Sequence, residues 1–228
     1  MRHLVVDSSS LISLSSNCLL WLLDKLRADA DLQLVATPEV RAEVVDKALK
    51  IERFRLGGVR VLKRFCNGTI VIDETDPVKT NKILRTANSV YKVKGRSYKI
   101  VHKAEMGLVP LAEKKGTGLM LVDERIVDKL INNPLGLKKV FERRLHMKVE
   151  IDKSKLKELK SLIGDVNTVK SSDLVAIAYE KGLLKEYVRE CASKKTMKDL
   201  VSGSLWGLKK SGCSISTNDI KEYNKLLF

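Results

Sequence analysis

The chain has 228 residues, of which 44% are hydrophobic and 31% are charged. This composition is typical of a folded globular protein and argues against a membrane protein, because no uncharged apolar run approaches the roughly 20 residues that a spanning helix needs. The 43 Lys and Arg residues outnumber the 28 Asp and Glu residues, which gives a formal net charge of +15. Such an excess favours a polyanionic partner such as nucleic acid, while a lysine-rich solvated surface is the alternative interpretation.

Cysteine usage and the N-terminal segment indicate a cytoplasmic location. The four cysteines, Cys18, Cys66, Cys191 and Cys213, lie far apart and form no CxxC pair. We therefore expect reduced thiols rather than a zinc site. The first apolar stretch is interrupted at Asp7, which makes it too short for a secretion signal.

Strands and helices are predicted to alternate in the first half of the chain. Short apolar runs predict strands at 3–6, 32–36, 69–72 and 119–122. Apolar residues at helical spacing predict helices over 11–26, from Thr37-Pro38 to Ala48, over 51–65 with a kink at Gly57-Gly58, from Asp76-Pro77, and over 100–115. This alternation predicts a central parallel sheet of four to five strands in a three-layer α/β/α sandwich.

The second half is less regular. A strand is predicted at 147–151 and a helix at 156–163, and residues 172–192, 197–211 and 218–227 are predicted to form three further helices. We expect a core over residues 1–131, a basic insertion over 132–170 packed on that core, and C-terminal helices over 171–228 that complete the same domain as a helical layer.

Four acidic residues occupy positions that favour a functional site. Asp7 and Asp123 each end a predicted strand, at the edge where open α/β sheets place their ligands. Glu43 lies at the margin of an apolar helix face, and Glu105 lies along the apolar stripe of its helix. Converging buried carboxylates are costly because they are desolvated and repel one another. A divalent cation resolves both problems, and oxygen ligands suit Mg²⁺ or Mn²⁺, so the pattern favours metal-dependent phosphodiester hydrolysis.

Each of these acids also has an ordinary structural role open to it. The roles are helix capping for Asp7, an ion pair with Lys47 for Glu43, an ion pair with Lys103 or a more distant cation for Glu105, and a turn before Arg125 for Asp123. Glu124 is adjacent to Asp123, so the fourth acid is ambiguous by one residue. We favour Asp123 because it directly ends the apolar strand.

Two basic segments are candidates for contact with nucleic acid. The first precedes the helix of Glu105 and contains Lys92, Lys94, Arg96, Tyr98 and Lys99, with Tyr91 among them. Its cations could hold phosphates while its tyrosines stack on unpaired bases, and a solvated loop is the alternative. The second is the predicted helix with Arg53, Arg55, Arg60, Lys63 and Arg64, for which a solvated amphipathic face is the favoured alternative.

Several segments resemble the PIN-domain family, and more narrowly a PIN-like branch of archaeal and bacterial nucleic-acid-binding proteins. The segments are LVVDSSSLISL, TPEVRAEVV, VHKAEMGLVPLAEKKG, LMLVDERIV, SSDLVAIAYEKGLLKEY and LKKSGCSIS. The resemblance implies endoribonuclease activity with Mg²⁺ or Mn²⁺ held by Asp7, Glu43, Glu105 and Asp123. It also implies supporting positions for Ser9, which could orient a water or hydrogen-bond within its turn, and for Glu124.

The resemblance further implies RNA as the substrate and no membrane association. Many PIN proteins dimerise or act as toxins with an antitoxin, so a homodimer and an antitoxin or other protein partner are further expectations. The chain departs from the small PIN pattern in its extra length near residues 47–65 and 132–170, and in Ala104 before Glu105, where the branch often has Gly. A catalytically inactive RNA-binding module is the alternative function.

Overall fold

A parallel sheet forms the centre of the molecule in the computed structural model, which describes residues 2–191 and 193–228. The strands in this part of the chain are β1 (Arg2–Val6), β2 (Leu32–Ala36), β3 (Ile70–Ile72), β4 (Tyr91–Val93), β5 (Arg96–Ser97), β6 (Leu119–Leu121), β7 (Val149–Ile151) and β8 (Asn167–Val169). Five of them form the central sheet in the order β3-β2-β1-β6-β8, and all neighbouring pairs are parallel.

Helices flank the central sheet and confirm the predicted three-layer α/β/α fold. They are α1 (Ser8–Ser16), α2 (Trp21–Ala30), α3 (Pro38–Arg41), α4 (Glu52–Cys66), α5 (Pro77–Val90), α6 (Lys103–Lys114), α7 (Arg125–Asn132), α8 (Pro134–Leu145), α9 (Lys153–Ile163), α10 (Ser171–Glu180), α11 (Lys194–Lys210) and α12 (Thr217–Leu227). Thr37 caps α3 as predicted, since its hydroxyl accepts a hydrogen bond from the Val40 N–H at 3.3 Å. No helix in the described ranges is long and apolar enough to cross a membrane.

The strand order places β1 at a reversal in the sheet. From β1 the chain proceeds to β2 and β3 on one side, whereas β6 and β8 are added on the other side. Crevices at such reversals lie outside the carboxyl ends of the strands and are where open α/β sheets bind ligands. The carboxyl ends of β1 and β6 are buried on both faces, as Val5, Val6 and Leu121 have no exposed area. The residues that follow these two strands are therefore held beside the crevice by the core.

The segment predicted as a basic insertion contributes to both sheets. Its last residues form β8, which pairs with β6 at the edge of the central sheet. Its strand β7 joins β4 and β5 in a separate antiparallel sheet in the order β5-β4-β7. The sequence Asn167-Thr168-Val169 is too short and too polar to produce a recognisable strand pattern. These residues form a strand because they pair with β6.

The helix predicted over 11–26 is divided into α1 and α2. Asn17 ends α1, and Cys18 adopts a left-handed conformation with φ of 57°. The Leu19 N–H then donates to the Leu14 carbonyl oxygen at 2.8 Å. Both helices bury apolar residues in the same core. The apolar spacing therefore continues across the break, and the sequence pattern does not reveal it.

The glycine pair Gly57-Gly58 lies inside the continuous helix α4 and does not interrupt it. The Gly57 carbonyl oxygen accepts a hydrogen bond from the Ser15 hydroxyl at 3.1 Å. A Cβ atom on Gly58 would lie 3.1 Å from the Ala48 Cβ. Helix α4 therefore continues through the glycine pair without interruption, and the two glycines allow neighbouring segments to approach closely.

Alanine substitution at two helical glycines should have opposite effects. Gly203 in α11 has open space around it, so Gly203→Ala is expected to raise the free energy of unfolding by about 0.5–1 kcal/mol. Gly58→Ala is expected to lower it by about 1 kcal/mol, because Ala48 must shift. Urea denaturation of both variants tests this. Stabilisation by Gly58→Ala would show that the close approach is not a constraint.

Candidate carboxylate site

Four acidic side chains interact at the carboxyl edge of the central sheet. Asp7 follows β1, and Glu124 is the third residue after β6. Glu105 lies in the first turn of α6. Burial raises the pKa of Glu105, and the negative charges of Glu124, Asp7 and Glu43 add to the rise, which indicates that the four carboxylates lie in one region of the molecule.

Asp7 caps helix α1 from a buried position. Its Oδ2 accepts hydrogen bonds from the Ser9 N–H at 3.1 Å and from the Ser9 hydroxyl at 2.5 Å. Burial raises the pKa of Asp7, the two bonds from Ser9 oppose that rise, and the charge of Glu43 adds to it. The capping role anticipated for Asp7 is thus present, and it orients the carboxylate at the edge of the sheet.

Glu105 also has a raised pKa. It is half-buried, and its Oε2 accepts a hydrogen bond from the His102 N–H at 2.7 Å. Burial raises its pKa to about 7, and repulsion from the three neighbouring acids contributes to the rise. Its recorded partner is the start of its own helix rather than the anticipated Lys103.

Glu124 caps helix α7 and faces the same cluster. Its Oε2 accepts a hydrogen bond from the Val127 N–H at 2.7 Å. Burial raises the pKa of Glu124, and the charge of Asp7 raises it further. This residue therefore stands in electrostatic contact with two of the expected acids, Asp7 and Glu105.

Glu43 approaches the cluster from a segment of π-helix. The segment spans Ala42–Lys47 and continues α3, while Val44 and Val45 on it are buried in the core. Glu43 itself is exposed. Single π-helical turns change the direction of side chains and are frequent at functional sites. Nothing in the sequence pattern predicted this local geometry.

Asp123 is buried beside the C-terminal helices. Its side chain has no exposed area, and its Oδ1 accepts a hydrogen bond from the Ser171 N–H at 2.8 Å, at the start of α10. Its backbone carbonyl accepts from the Ser214 N–H at 2.9 Å. Burial raises the pKa of the Cys213 thiol to about 12, and the charge of Asp123 contributes. Asp123 thus joins β6 to the C-terminal helices.

Asp123 has a structural partner and also a carboxylate oxygen without one, since Oδ1 accepts from the Ser171 N–H whereas Oδ2 is buried with no hydrogen-bond partner among the described residues. The preference for Asp123 as the fourth acid therefore stays a prediction. Asp123 is fully buried while the extended residue Glu124 is half-buried at the edge, and the apolar strand pattern carries no information about this difference. Ser171 and Cys213, the structural neighbours of Asp123, could not be inferred from sequence spacing because they lie 48 and 90 residues away.

Ser9 connects the ends of β1 and β6. Its hydroxyl donates to Asp7 Oδ2 and accepts a hydrogen bond from the Asp123 N–H at 3.1 Å. The hydroxyl therefore acts both as a hydrogen-bond donor and as an acceptor within the protein. This is the hydrogen-bonded turn that we gave as the alternative to water orientation, and it sets the spacing of the two strand ends.

Three helices begin at this cluster, and an acid caps each of them. The caps come from Asp7 to α1, from Glu105 to α6 and from Glu124 to α7. A helix N-terminus carries unpaired N–H groups and a partial positive charge, so it stabilises a nearby carboxylate. These helix ends offset part of the repulsion among the acids, although the raised pKa of Glu105 shows that the compensation is incomplete.

The donor chemistry of the cluster fits a hard divalent cation. All four groups are carboxylates, and the pKa of three of them is raised by burial and by neighbouring negative charge. Within residues 2–191 and 193–228, however, no three His, Cys, Asp or Glu side chains are arranged as a group that could hold a metal ion. The hydrogen bonds of the helix caps give the physical reason, because they turn one oxygen of each capping carboxylate toward its own helix.

The predicted basic loop around Gly95 is a β-hairpin. Lys94 and Gly95 form its turn with φ of 51° and 74°, a conformation that suits a two-residue hairpin. Tyr98 packs edge-on against Phe141 with ring centroids 5.4 Å apart, so its ring has a structural partner. Lys92 forms an ion pair with Asp152 at 2.9 Å.

Exposed cations remain on this hairpin and near it. They are Lys94, Arg96 and Lys99. Tyr91 is fully buried, and its hydroxyl donates to the Pro134 carbonyl oxygen at 2.9 Å. The aromatic residues therefore stabilise the small antiparallel sheet, whereas the three cations are free to contact a polyanion.

Comparisons with known proteins give no relationship for the chain. No family model matches it, and a search of curated proteins finds no match. The resemblance to PIN domains therefore stays a hypothesis that depends on the segments and residues described above.

A substitution at Glu105 should reveal its raised pKa as a pH-dependent stability difference. Because the folded-state pKa of about 7 exceeds the ordinary 4.5, the stabilising contribution is present below pH 4.5 and is lost as the pH rises through 7. Glu105→Gln mimics the protonated group and retains an oxygen for the His102 N–H. We expect it to raise the free energy of unfolding by about 1–2 kcal/mol at pH 8 and to have little effect at pH 4.5.

Urea denaturation in EDTA at several pH values measures this difference. Glu222→Gln on α12 is the matched control, since Glu222 is exposed. For this control, the difference in unfolding free energy from the unsubstituted protein should not grow with pH. An equally small effect of Glu105→Gln at pH 8 and pH 4.5 would contradict the electrostatic coupling of the cluster.

Proposed function

We propose that the protein is a metal-dependent endoribonuclease of the PIN type. The observation that carries the proposal is that Asp7 and Glu124 follow the neighbouring parallel strands β1 and β6 beside the reversal in strand order. Burial, and after it the charge of neighbouring acids, raises the pKa of Asp7, Glu105 and Glu124. Such a concentration of negative charge repels a phosphodiester unless a cation neutralises it. The net charge of +15 supplies the general attraction for a polyanion such as RNA.

Binding of Mg²⁺ or Mn²⁺ by the four carboxylates of Asp7, Glu43, Glu105 and Glu124 would require the capping side chains to turn toward the cation, because the described residues contain no preformed metal-binding group. Glu124 is proposed for the place that the sequence analysis gave to Asp123. When bound, such a cation neutralises the phosphate and lowers the pKa of water. Ser9 fixes the orientation of Asp7 through its hydroxyl, and the three helix caps limit how far the acids can move apart. In-line attack of water on phosphorus, with departure of the ribose 3′ oxygen, leaves 5′-phosphate and 3′-hydroxyl ends.

Cleavage of end-labelled single-stranded RNA in Mn²⁺ tests the activity. Asp7→Asn should abolish cleavage because it removes a charge from the cluster. An Asn side chain still caps α1 well, so the unfolding free energy should change little. EDTA should also abolish cleavage by the unsubstituted protein, and the products should carry 5′-phosphate ends.

Two other outcomes of this assay are informative. Products with 2′,3′-cyclic phosphate ends would overturn the mechanism, because they require attack by the ribose 2′-hydroxyl. Salt-sensitive RNA binding without any cleavage would replace the enzyme with an RNA-binding module.

Substitutions at the adjacent acids Asp123 and Glu124 distinguish a cation ligand from a structural anchor. Glu124→Gln retains an oxygen to cap α7 and should weaken Mn²⁺ binding at least about 10-fold with little loss of stability. Asp123→Ala leaves the buried Ser171 N–H without its acceptor and should lower the free energy of unfolding by about 1–3 kcal/mol.

Titration calorimetry with Mn²⁺ and urea denaturation give the two measurements. At a temperature where Asp123→Ala remains folded, its Mn²⁺ affinity should stay close to that of the unsubstituted protein. The reverse result, in which only Asp123→Ala loses Mn²⁺, would return Asp123 to the cation site.

A further inference from the structure

A groove beside the carboxylate cluster is not used by the proposed chemistry. It has a volume of about 520 Å³ and lies between α1, the π-helical segment and α4. Glu43 lines this groove and also contributes charge to Asp7 and Glu105. A ligand in the groove would therefore extend directly from whatever occupies the carboxylate site.

Exposed apolar side chains form much of the groove wall. They are Ile12, Ile51, Phe54 and Leu56, which are between 44% and 62% exposed. Phe54 also has the Arg53 guanidinium above its ring, 4.6 Å from the centroid. A paired aromatic ring and guanidinium plane form a surface on which a nucleobase can stack.

The charges around the groove favour an anionic ligand. Three cations line it, Lys47, Arg53 and Arg60, and Glu43 is the one acid among its lining residues. Arg60 donates to the Ser15 carbonyl oxygen at 3.3 Å. Within the described residues, none of the three cations forms an ion pair with an acid of the protein. They are consequently available to phosphates.

The size of the groove favours a small group over a folded protein partner. Fifteen residues line it, whereas a specific protein interface commonly uses about 20–30 residues on each side. Its volume lies within the roughly 300–1,000 Å³ that is typical of small-ligand pockets.

We propose that this groove is a base-binding subsite, which holds an unpaired base of single-stranded RNA on Phe54 and Arg53 next to the scissile phosphate. The proposal rests on the proposed function, because it assigns the groove to the same substrate. Lys47 and Arg60 contact the phosphates that flank this base, and the apolar wall excludes water from it. RNA with paired bases cannot enter in this way, so the subsite selects unpaired substrate.

The subsite can be tested without cleavage. Short single-stranded RNAs, each with one 2-aminopurine at a different position, are titrated with the protein in EDTA, and quenching of the fluorescent base reports stacking. We expect strong quenching at one position or two neighbouring positions. Phe54→Ala should remove that quenching and weaken binding about 5- to 100-fold, while Phe54→Trp should retain it.

The salt dependence of binding separates stacking from charge. Phe54→Ala should leave the slope of log affinity against log salt unchanged, whereas Lys47→Gln should reduce it by about one unit. Trp206→Ala is the matched control. Trp206 is 48% exposed and carries Lys209 above its ring at 4.7 Å, but it lies on α11 outside the groove. This control should bind RNA like the unsubstituted protein.

The outcomes separate the subsite from the nuclease activity. Cleavage that depends on Asp7, combined with RNA binding and quenching that are unaffected by Phe54→Ala, would overturn the subsite and leave the nuclease intact. Phe54-dependent binding without cleavage would support the subsite and overturn the nuclease. A protein partner whose binding requires Phe54, with RNA binding unchanged in Phe54→Ala, would also overturn the subsite.

Discussion

The reversal of strand order at β1 is the constraint on which the candidate site depends. Because β2 and β6 lie on opposite sides of β1 in a parallel sheet, the residues after β1 and β6 emerge at the same edge. The buried valines and leucines of these strands fix that edge in the core. Ser9 then joins the two strand ends by hydrogen bonds to Asp7 and to the Asp123 N–H. The ends of β1 and β6 therefore bring their acids to one region of the folded protein.

The structural roles of the clustered acids coincide with the functional role that we propose for them. Asp7, Glu105 and Glu124 each cap a helix, which would be a complete explanation for any one of them alone. Caps on separate helices need not lie near one another. Here burial raises the pKa of each of the three acids, the charges of Asp7 and Glu124 add to the rise at Glu105, and the charge of Asp7 adds to the rise at Glu124. The protein thus keeps a repulsive arrangement that burial makes more costly. A bound cation would relieve that repulsion, which is why we assign the cluster to metal-dependent chemistry.

The adjacent acids Asp123 and Glu124 occupy different structural positions. Asp123 is fully buried and anchors the start of α10 through the Ser171 N–H. Glu124 stays at the edge and caps α7. The C-terminal helices are consequently attached to the central sheet at the point where the candidate site begins. Their packing positions the site although none of the four clustered acids lies on them.

The sequence by itself determined the alternation of strands and helices, the parallel sheet and the positions of Asp7, Glu43 and Glu105, because apolar periodicity and strand ends are local properties. Tertiary structure alone decided the pairing of β8, the break between α1 and α2, the packing of Gly57 and Gly58, and the different burial of Asp123 and Glu124. Each of these depends on which distant surface a residue meets. The local spacing of apolar residues predicts which residues are buried. The direction of a single side chain beyond the end of a strand depends on the packing of elements that are far apart in the chain.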